Sequence, residues 1–173
     1  MIAGYLAQKK SHREASDYLI GRGFDFLYEG DLKTAMYCFN QAWLLDPKNE
    51  NVFWGFGAVY FSFRDVNKAL KQYDEGLRIN PKSSNILTDK ATIFMDRYMN
   101  THKELDMATP LKLFQQSLAI DARNQNTLFK LSVCHFLKQN CGNAWKYYDA
   151  CKKLGGQPIT EEYTAALKKQ CRK

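Results

Sequence analysis

No stretch of the 173-residue chain reaches the 18 or more consecutive apolar residues that a membrane-spanning helix requires, and Met1 to Gln8 is too short and too weakly apolar for the core of a secretion signal. The chain therefore reads as cytoplasmic by default, and as periplasmic or exported if a leader has been trimmed ahead of Met1. It contains neither a Gly-x-Gly-x-x-Gly loop nor a Gly-Lys-Ser/Thr phosphate motif, which removes the commonest nucleotide-binding signatures. Proline is scarce, at 4 residues, and histidine scarcer, at 3. The 5 cysteines are an odd number in a chain large enough to fold without covalent staples, which argues against a small disulfide framework and for a reducing compartment. What the chain does have is apolar material: 45% hydrophobic and 14% aromatic residues are enough for one substantial core, and the length favours one domain. The net charge of +7 is unevenly placed, because residues 125–173 hold 9 Lys/Arg against 3 Asp/Glu.

A search for internal repetition decides the fold class. Leu45-Asp46-Pro47-Lys48-Asn49, Ile79-Asn80-Pro81-Lys82-Ser83 and Ile120-Asp121-Ala122-Arg123-Asn124 each close a helix-like segment. Pro47 and Pro81 are 34 residues apart, Pro81 and Ala122 are 41 apart, and a further 34 lands on Gly156. Between these marks large and small residues alternate at spacings that share one helix face. The second unit shows it best, with Phe53, Phe56, Gly57 and Tyr60 followed by Ala69, Tyr73, Gly76 and Pro81. Two antiparallel helices approach closely only where small side chains meet, so Gly23, Gly57, Ala91 and Ser132 mark the contact in each unit. Gly30-Asp31 and Asp65-Val66-Asn67 read as the turns of the first two hairpins, and Asn49, Ser83 and Asn124 as caps of the helices that follow.

These residues resemble the tetratricopeptide repeat (TPR) family, whose pattern of Trp-x2-Leu-Gly-x2-Tyr, Ala-x3-Phe and Pro over 34 residues is met nearly position for position by residues 50–83. The run from Gly30 to Pro47, with Trp54-Gly55-Phe56-Gly57, is similar to a group of bacterial TPR proteins, some with exported leaders. The resemblance implies an all-α, right-handed α-α superhelix, a solenoid of about four helical hairpins over 16–158, divided as 16–49, 50–83, 84–124 with a seven-residue insertion, and 125–158. Residues 1–15 form an N-terminal segment or capping helix. Residues 159–173 read as a C-terminal capping helix, started by Thr160 and ending in Lys168, Lys169, Arg172 and Lys173. The insertion, roughly Met95 to Thr109, is expected to lengthen the helix and loop of the third hairpin.

Catalytic and metal chemistry find no constellation. Cys134-His135, Cys141, Cys151 and Cys171 cluster in the last 40 residues, but their spacing fits no zinc pattern, and Cys151 occupies a slot held elsewhere by Ala42, Gly76 and Ser117. Packed thiols are the favoured reading, with a Cys134–Cys151 disulfide as the alternative in an exported protein. Neighbours on a helix point about 100° apart, so His135 cannot orient over Cys134 as a base. No enzyme, metal or cofactor is expected.

Function is expected on the concave face that the first helix of each unit lines in such solenoids. The family's groove slots fall on Ile20 and Phe24, on Asn51, Trp54 and Phe61, on Asn85, and on Asn126, Phe129, Lys130 and Phe136. This surface is aromatic and largely uncharged, which implies a non-catalytic scaffold that binds an apolar or amphipathic segment of another protein or peptide. The Lys and Asn clamp with which some family members grip a C-terminal carboxylate is absent, since its slots hold Ile20, Phe24, Gly55, Asn85 and Asp89. The competing readings for the aromatics are core packing and burial by the chain's own N-terminal segment or by a second copy in a homodimer. For Asn51, Asn85 and Asn126 the structural reading, help in capping, is favoured over ligand contact. The rival class is nucleic-acid binding through the basic C-terminal third, disfavoured because Arg172 is the only arginine among its 9 basic residues.

Overall fold

The computed structural model describes residues 11–103 and 105–172, and among them every regular element is an α-helix. In chain order these are α1 (His12–Tyr28), α2 (Leu32–Leu45), α3 (Glu50–Ser62), α4 (Val66–Ile79), α5 (Ser84–Thr101), α6 (Leu105–Ile120), α7 (Gln125–Leu137), α8 (Cys141–Lys153) and α9 (Glu161–Gln170). They form four helical hairpins followed by a single C-terminal helix. The first ten residues of the expected N-terminal cap lie outside the described residues, and α1 itself starts at His12, behind a Ser11 cap.

Short polar side chains start the helices by accepting a backbone N–H that has no partner within the first turn. Asp31 accepts from Thr34, Asp65 from Lys68, Asn124 from Thr127, Asn140 from Asn143 and Thr160 from Tyr163. The hairpin turns share a second device, a residue of positive φ immediately before the cap: Gly30 at 84°, Arg64 at 62° and Gln139 at 56°. The second turn thus differs from the sequence expectation. Val66 and Asn67 belong to α4, and the left-handed position falls on Arg64, which carries a Cβ and adopts that conformation at a cost glycine avoids.

The seven extra residues of the third unit are absorbed as helix. The helices α5 and α6 run to 18 and 16 residues, against 13 and 14 in α3 and α4, while the connections 63–65 and 102–104 are equally long. The expected loop extension does not occur, because added residues that continue a helical ladder keep their backbone hydrogen bonds satisfied.

The chain divides into two compact units between Ile86 and Leu87, at the start of the one repeat whose length departs from 34, where chain length alone had favoured one domain. In the first unit the core gathers Leu19, Phe24, Phe39, Leu45, Val52 and Val59. Its centre is the fully buried Phe39 ring, which lies where a Cβ on either Gly23 or Gly55 would have to be. Tyr73 fills the corresponding space over Gly57. Polar seams tie the hairpins of this unit. The buried Asn49 amide donates to Ser16 Oγ at 3.0 Å and to Asp17 Oδ1 at 2.7 Å while its oxygen caps Asn51 N–H. Arg13 reaches Glu50 at 3.0 Å, and Asn80 donates to the other Glu50 oxygen at 3.1 Å.

In the second unit Ala91, Met95, Met107, Phe114, Leu131 and Cys134 form one cluster, and Ala144, Tyr148, Leu167 and Cys171 another. The buried hydroxyls of Thr88, Ser117 and Thr127 close a triangle with edges of 2.8, 2.6 and 2.9 Å, so that polar atoms introduced into the core satisfy one another. Phe114 and Tyr148 occupy the places that Phe39 and Tyr73 hold in the first unit and are 0% and 4% exposed.

Two substitutions test this account. Phe39→Ala is expected to cost the protein about 3–5 kcal/mol, because a cavity bounded by two glycines has no side chain able to collapse into it. Arg64→Gly, which relieves a left-handed backbone at an exposed turn, should instead stabilise by roughly 0.5–1 kcal/mol. Urea unfolding followed by far-UV circular dichroism measures both, and stabilities moving in the same direction would contradict the geometry.

Candidate interaction surface

In the first unit, one face of α3 carries Asn51, Trp54, Ala58 and Phe61, a spacing of three and four residues that repeats down a helix. All four are half-buried, while Val52 and Val59 on the adjacent face are fully buried in the core. Trp54 lies with its ring 4.2 Å from Phe24 of α1, and Phe24 in turn meets Phe39 edge-on at 5.2 Å. Ile20 and Phe24 are 6% and 9% exposed and belong to the core cluster, so they support this surface from beneath. Tyr28, absent from the residues singled out in sequence, stacks on Phe24 at 6.2 Å and is 79% exposed. Its position four residues after Phe24 on α1 was the available signal. Tyr28, Phe24 and Trp54 thus make an aromatic strip crossing from α1 to α3, capped at one end by an exposed phenol.

Asn51 and Asn126 are not themselves the caps of their helices. The caps of α3 and α7 are Asn49 and Asn124, two residues earlier in each case. Neither Asn51 nor Asn126 makes a side-chain hydrogen bond among the described residues. Asn51 is half-buried, and Asn85 and Asn126 are exposed or nearly so.

The second unit treats its aromatics differently. Phe129 and Phe136 of α7 meet the ring of Tyr163, from α9, edge-on at 5.3 and 5.6 Å. The covering element is the C-terminal helix, whereas the sequence suggests the N-terminal segment or a second copy. Lys130, on the same helix as the two phenylalanines, is half-buried. Tyr163 also anchors α9 through a directed bond. Ser132 Oγ donates its one proton to the Ala144 carbonyl at 2.7 Å, so at the 2.6 Å contact between Ser132 Oγ and Tyr163 Oη the phenol must be the donor. Burial pushes the Tyr163 hydroxyl up to about 12, with the Ser132 hydrogen bond acting in the opposite sense.

Cys141 and Cys171 are joined in a disulfide with Cα atoms 5.2 Å apart, which corrects the packed-thiol reading for this pair and withdraws the argument for a reducing compartment. Cys38, Cys134 and Cys151 are free and buried, so the alternative pairing of Cys134 with Cys151 does not form. Two positions 30 residues apart in sequence meet because α9 folds back along α8, a tertiary fact with no local signature. Burial pushes the Cys134 thiol up to about 12, far from the reactive thiolate form. His135 stacks on Tyr147 at 5.4 Å, its ring held below the usual range by burial and by Lys138 and Lys146. Among the described residues no group of three His, Cys, Asp or Glu side chains could hold a metal ion.

No family model matches the sequence, and no curated protein does. Solved structures do match in shape. A thermophilic TPR protein of Thermus thermophilus aligns over 90% of this chain and 80% of its own, with a TM-score of 0.72 at 13% identity. YrrB, described as a TPR protein with an unusual peptide-binding site, aligns over 80% of this chain and 68% of its own, with a TM-score of 0.55 at 14% identity. The first TPR domain of Spaghetti, bound to an HSP90 peptide, aligns over 72% of this chain and 92% of its own, with a TM-score of 0.58 at 20% identity.

The raised Tyr163 value makes the docking of α9 sensitive to alkali. A folded-state value above the ordinary 10.0 means that the neutral phenol's contribution is whole below pH 10 and is lost as pH rises toward about 12. Melting temperatures recorded across that interval should fall less steeply for Tyr163→Phe than for the unaltered protein. Parallel curves would show that the phenol does not titrate against the fold.

Proposed function

Since the chain has the tetratricopeptide-repeat fold, we propose that it is a non-catalytic protein-interaction scaffold that holds an apolar or amphipathic peptide segment against its first helices. The observation that carries this reading is the strip of Tyr28, Phe24 and Trp54, which remains partly open to solvent although the core beside it is already filled by Val52, Val59 and Phe39. An aromatic ring braced from behind by other rings loses little freedom when a ligand packs on it, which is why such residues dominate binding energies. Trp54, Phe61 and Tyr28 are the proposed apolar contacts, and Asn51 supplies an amide for the backbone of an extended or helical ligand. Asn85, at the end of the first unit, has its counterpart in Asn126 of the second, with Lys130 one helical turn further on. Phe129 and Phe136 contribute there through whatever ring surface Tyr163 leaves uncovered.

Two of the compared structures are described with peptides, one with a peptide-binding site and one with an HSP90 peptide bound, which supports peptide capture as a use of this architecture. A carboxylate-clamped tail is not the proposed ligand here. Gly55 has no side chain and lies against the Phe39 ring, while Ile20 and Phe24 are apolar and buried.

The test compares partners captured from native lysate by the unaltered protein, by Trp54→Ala and by Tyr28→Ala, quantified by mass spectrometry, with melting temperatures recorded alongside. Tyr28 is so exposed that its truncation should leave stability within about 0.5 kcal/mol while weakening the partner, and Trp54→Ala should cost about 2 kcal/mol of binding, roughly thirtyfold in Kd. An unchanged partner list for both variants would remove the proposal.

A further inference from the structure

On the period of the repeats, α9 stands where the first helix of a fifth unit would be, and Thr164 occupies the position of Gly55. The contacts agree with that register: Tyr148, the counterpart of Phe39, places its hydroxyl 3.0 Å from Thr164 Oγ1. In α3 the neighbouring positions are Val52, Phe56 and Val59, of which the two valines are fully buried in the cluster that contains Phe39, and Phe56 meets the Phe39 ring at 6.4 Å. The same three positions in α9 are Glu161, Ala165 and Lys168. A methyl group and two charged side chains cannot close the gap that two valines and a phenylalanine close. The space between α8 and α9 accordingly opens into two adjoining cavities of about 430 and 570 Å³ that share Tyr148, Lys152 and Lys168 in their walls.

This cleft is charged and pinned at one end. Its outer end is held by the Cys141–Cys171 disulfide and by the Trp145 indole N–H, which donates to the Cys171 carbonyl at 2.7 Å, so the backbone leading into Arg172 is fixed. Lys152 from α8, Lys168 from α9 and Arg172 line it, none of them in an ion pair with another described residue, and the Lys152 ammonium lies 5.8 Å from the Tyr148 ring centre. Asp149 and Glu161 also reach the walls, at separate points.

We propose that the cleft between α8 and α9 is a second binding site, distinct from the aromatic strip, and that it takes a short acidic peptide segment. The mixture of charges selects this chemistry. Glutamate or aspartate side chains on such a segment find Lys152, Lys168 and Arg172, while its backbone N–H groups, which a polyphosphate or nucleic-acid backbone lacks, find an acceptor in Glu161. The volume suits a few residues of extended chain and is within the range of ligand pockets in general. A continuous phosphodiester charge would be repelled by the carboxylates of Asp149 and Glu161, and only one arginine is present to receive phosphate in a fork.

Fluorescence anisotropy with a fluorescein-labelled peptide of alternating Glu and Ser reads the site directly, at low salt and then with added sodium chloride. Binding should appear, weaken with salt, and be absent for the matching Gln-Ser peptide. Lys152→Gln combined with Lys168→Gln should weaken it at least about tenfold. Lys33→Gln combined with Lys48→Gln, which removes the same charge from the surface of the first unit, should leave it unchanged. Ala165→Phe, which restores the side chain of the Phe56 position and alters no charge, should also abolish binding. Circular dichroism checks that each variant is folded. No binding at low salt, equal loss in the Lys33 and Lys48 control, or undiminished binding to Ala165→Phe would overturn the proposal. So would tighter binding of a labelled thymidine oligonucleotide that is lost in the Lys152 and Lys168 variant, because the cleft would then be a phosphate site.

Discussion

Everything in the first unit is arranged around one steric fact, that an aromatic ring from α2 occupies space which a methyl group on either of two glycines would claim. Phe39 lies against Gly23 of its own hairpin and Gly55 of the next, and so locks the register of three helices with a single side chain. The attraction is dispersion and burial, which favour close contact without specifying direction, and the specificity comes from the glycines, which leave only one place where the ring fits. Tyr73 over Gly57 repeats the arrangement. In the second unit the small partners are alanine and serine, and the polar atoms this introduces must then be satisfied. Ser132 meets this need by bonding the Ala144 carbonyl and accepting from Tyr163.

The polar seams follow from the same closeness. Helices that approach through glycine bring their termini together as well, and unpaired backbone donors and carboxylates there would be costly if left alone. Asn49 resolves this in the first unit by capping α3 with its oxygen and binding α1 with its nitrogen, and Glu50 by accepting from both Arg13 and Asn80. Burial alone would push the Glu50 carboxyl up, but these hydrogen bonds outweigh it and hold the group below the usual range. The strip ending at Tyr28, proposed above as a contact surface, is itself held by ring packing, Trp54 and Tyr28 both lying against Phe24.

The two units illustrate how the same repeat can end in different chemistry. In the first, the face of α3 toward Phe39 is apolar and closed, and the face carrying Trp54 is left half open. In the second, α9 covers Phe129 and Phe136 with Tyr163 but leaves its own lysine-bearing side apart from α8.

The all-α class, the hairpins, the helix stops after Leu45 and Ile79, and the large-to-small pattern of Tyr73, Gly23 and Gly57 were legible in the sequence, because each depends on periodicity and on residues whose backbone preferences act within a few positions. So was the aromatic character of α3. The sequence did not reveal that Phe24 and Ile20 are buried supports, that Tyr28 is the exposed end of the strip, or that Tyr163 covers Phe129, since each depends on which ring reaches a given space first. It also did not reveal the left-handed turn at Arg64, where the packing of α3 on α4 overrides a local preference, nor the pairing of Cys141 with Cys171. Local rules set what each helix is and where it ends; only the close approach of helices far apart in the chain decided which side chains were buried in holding them together and which stayed partly exposed.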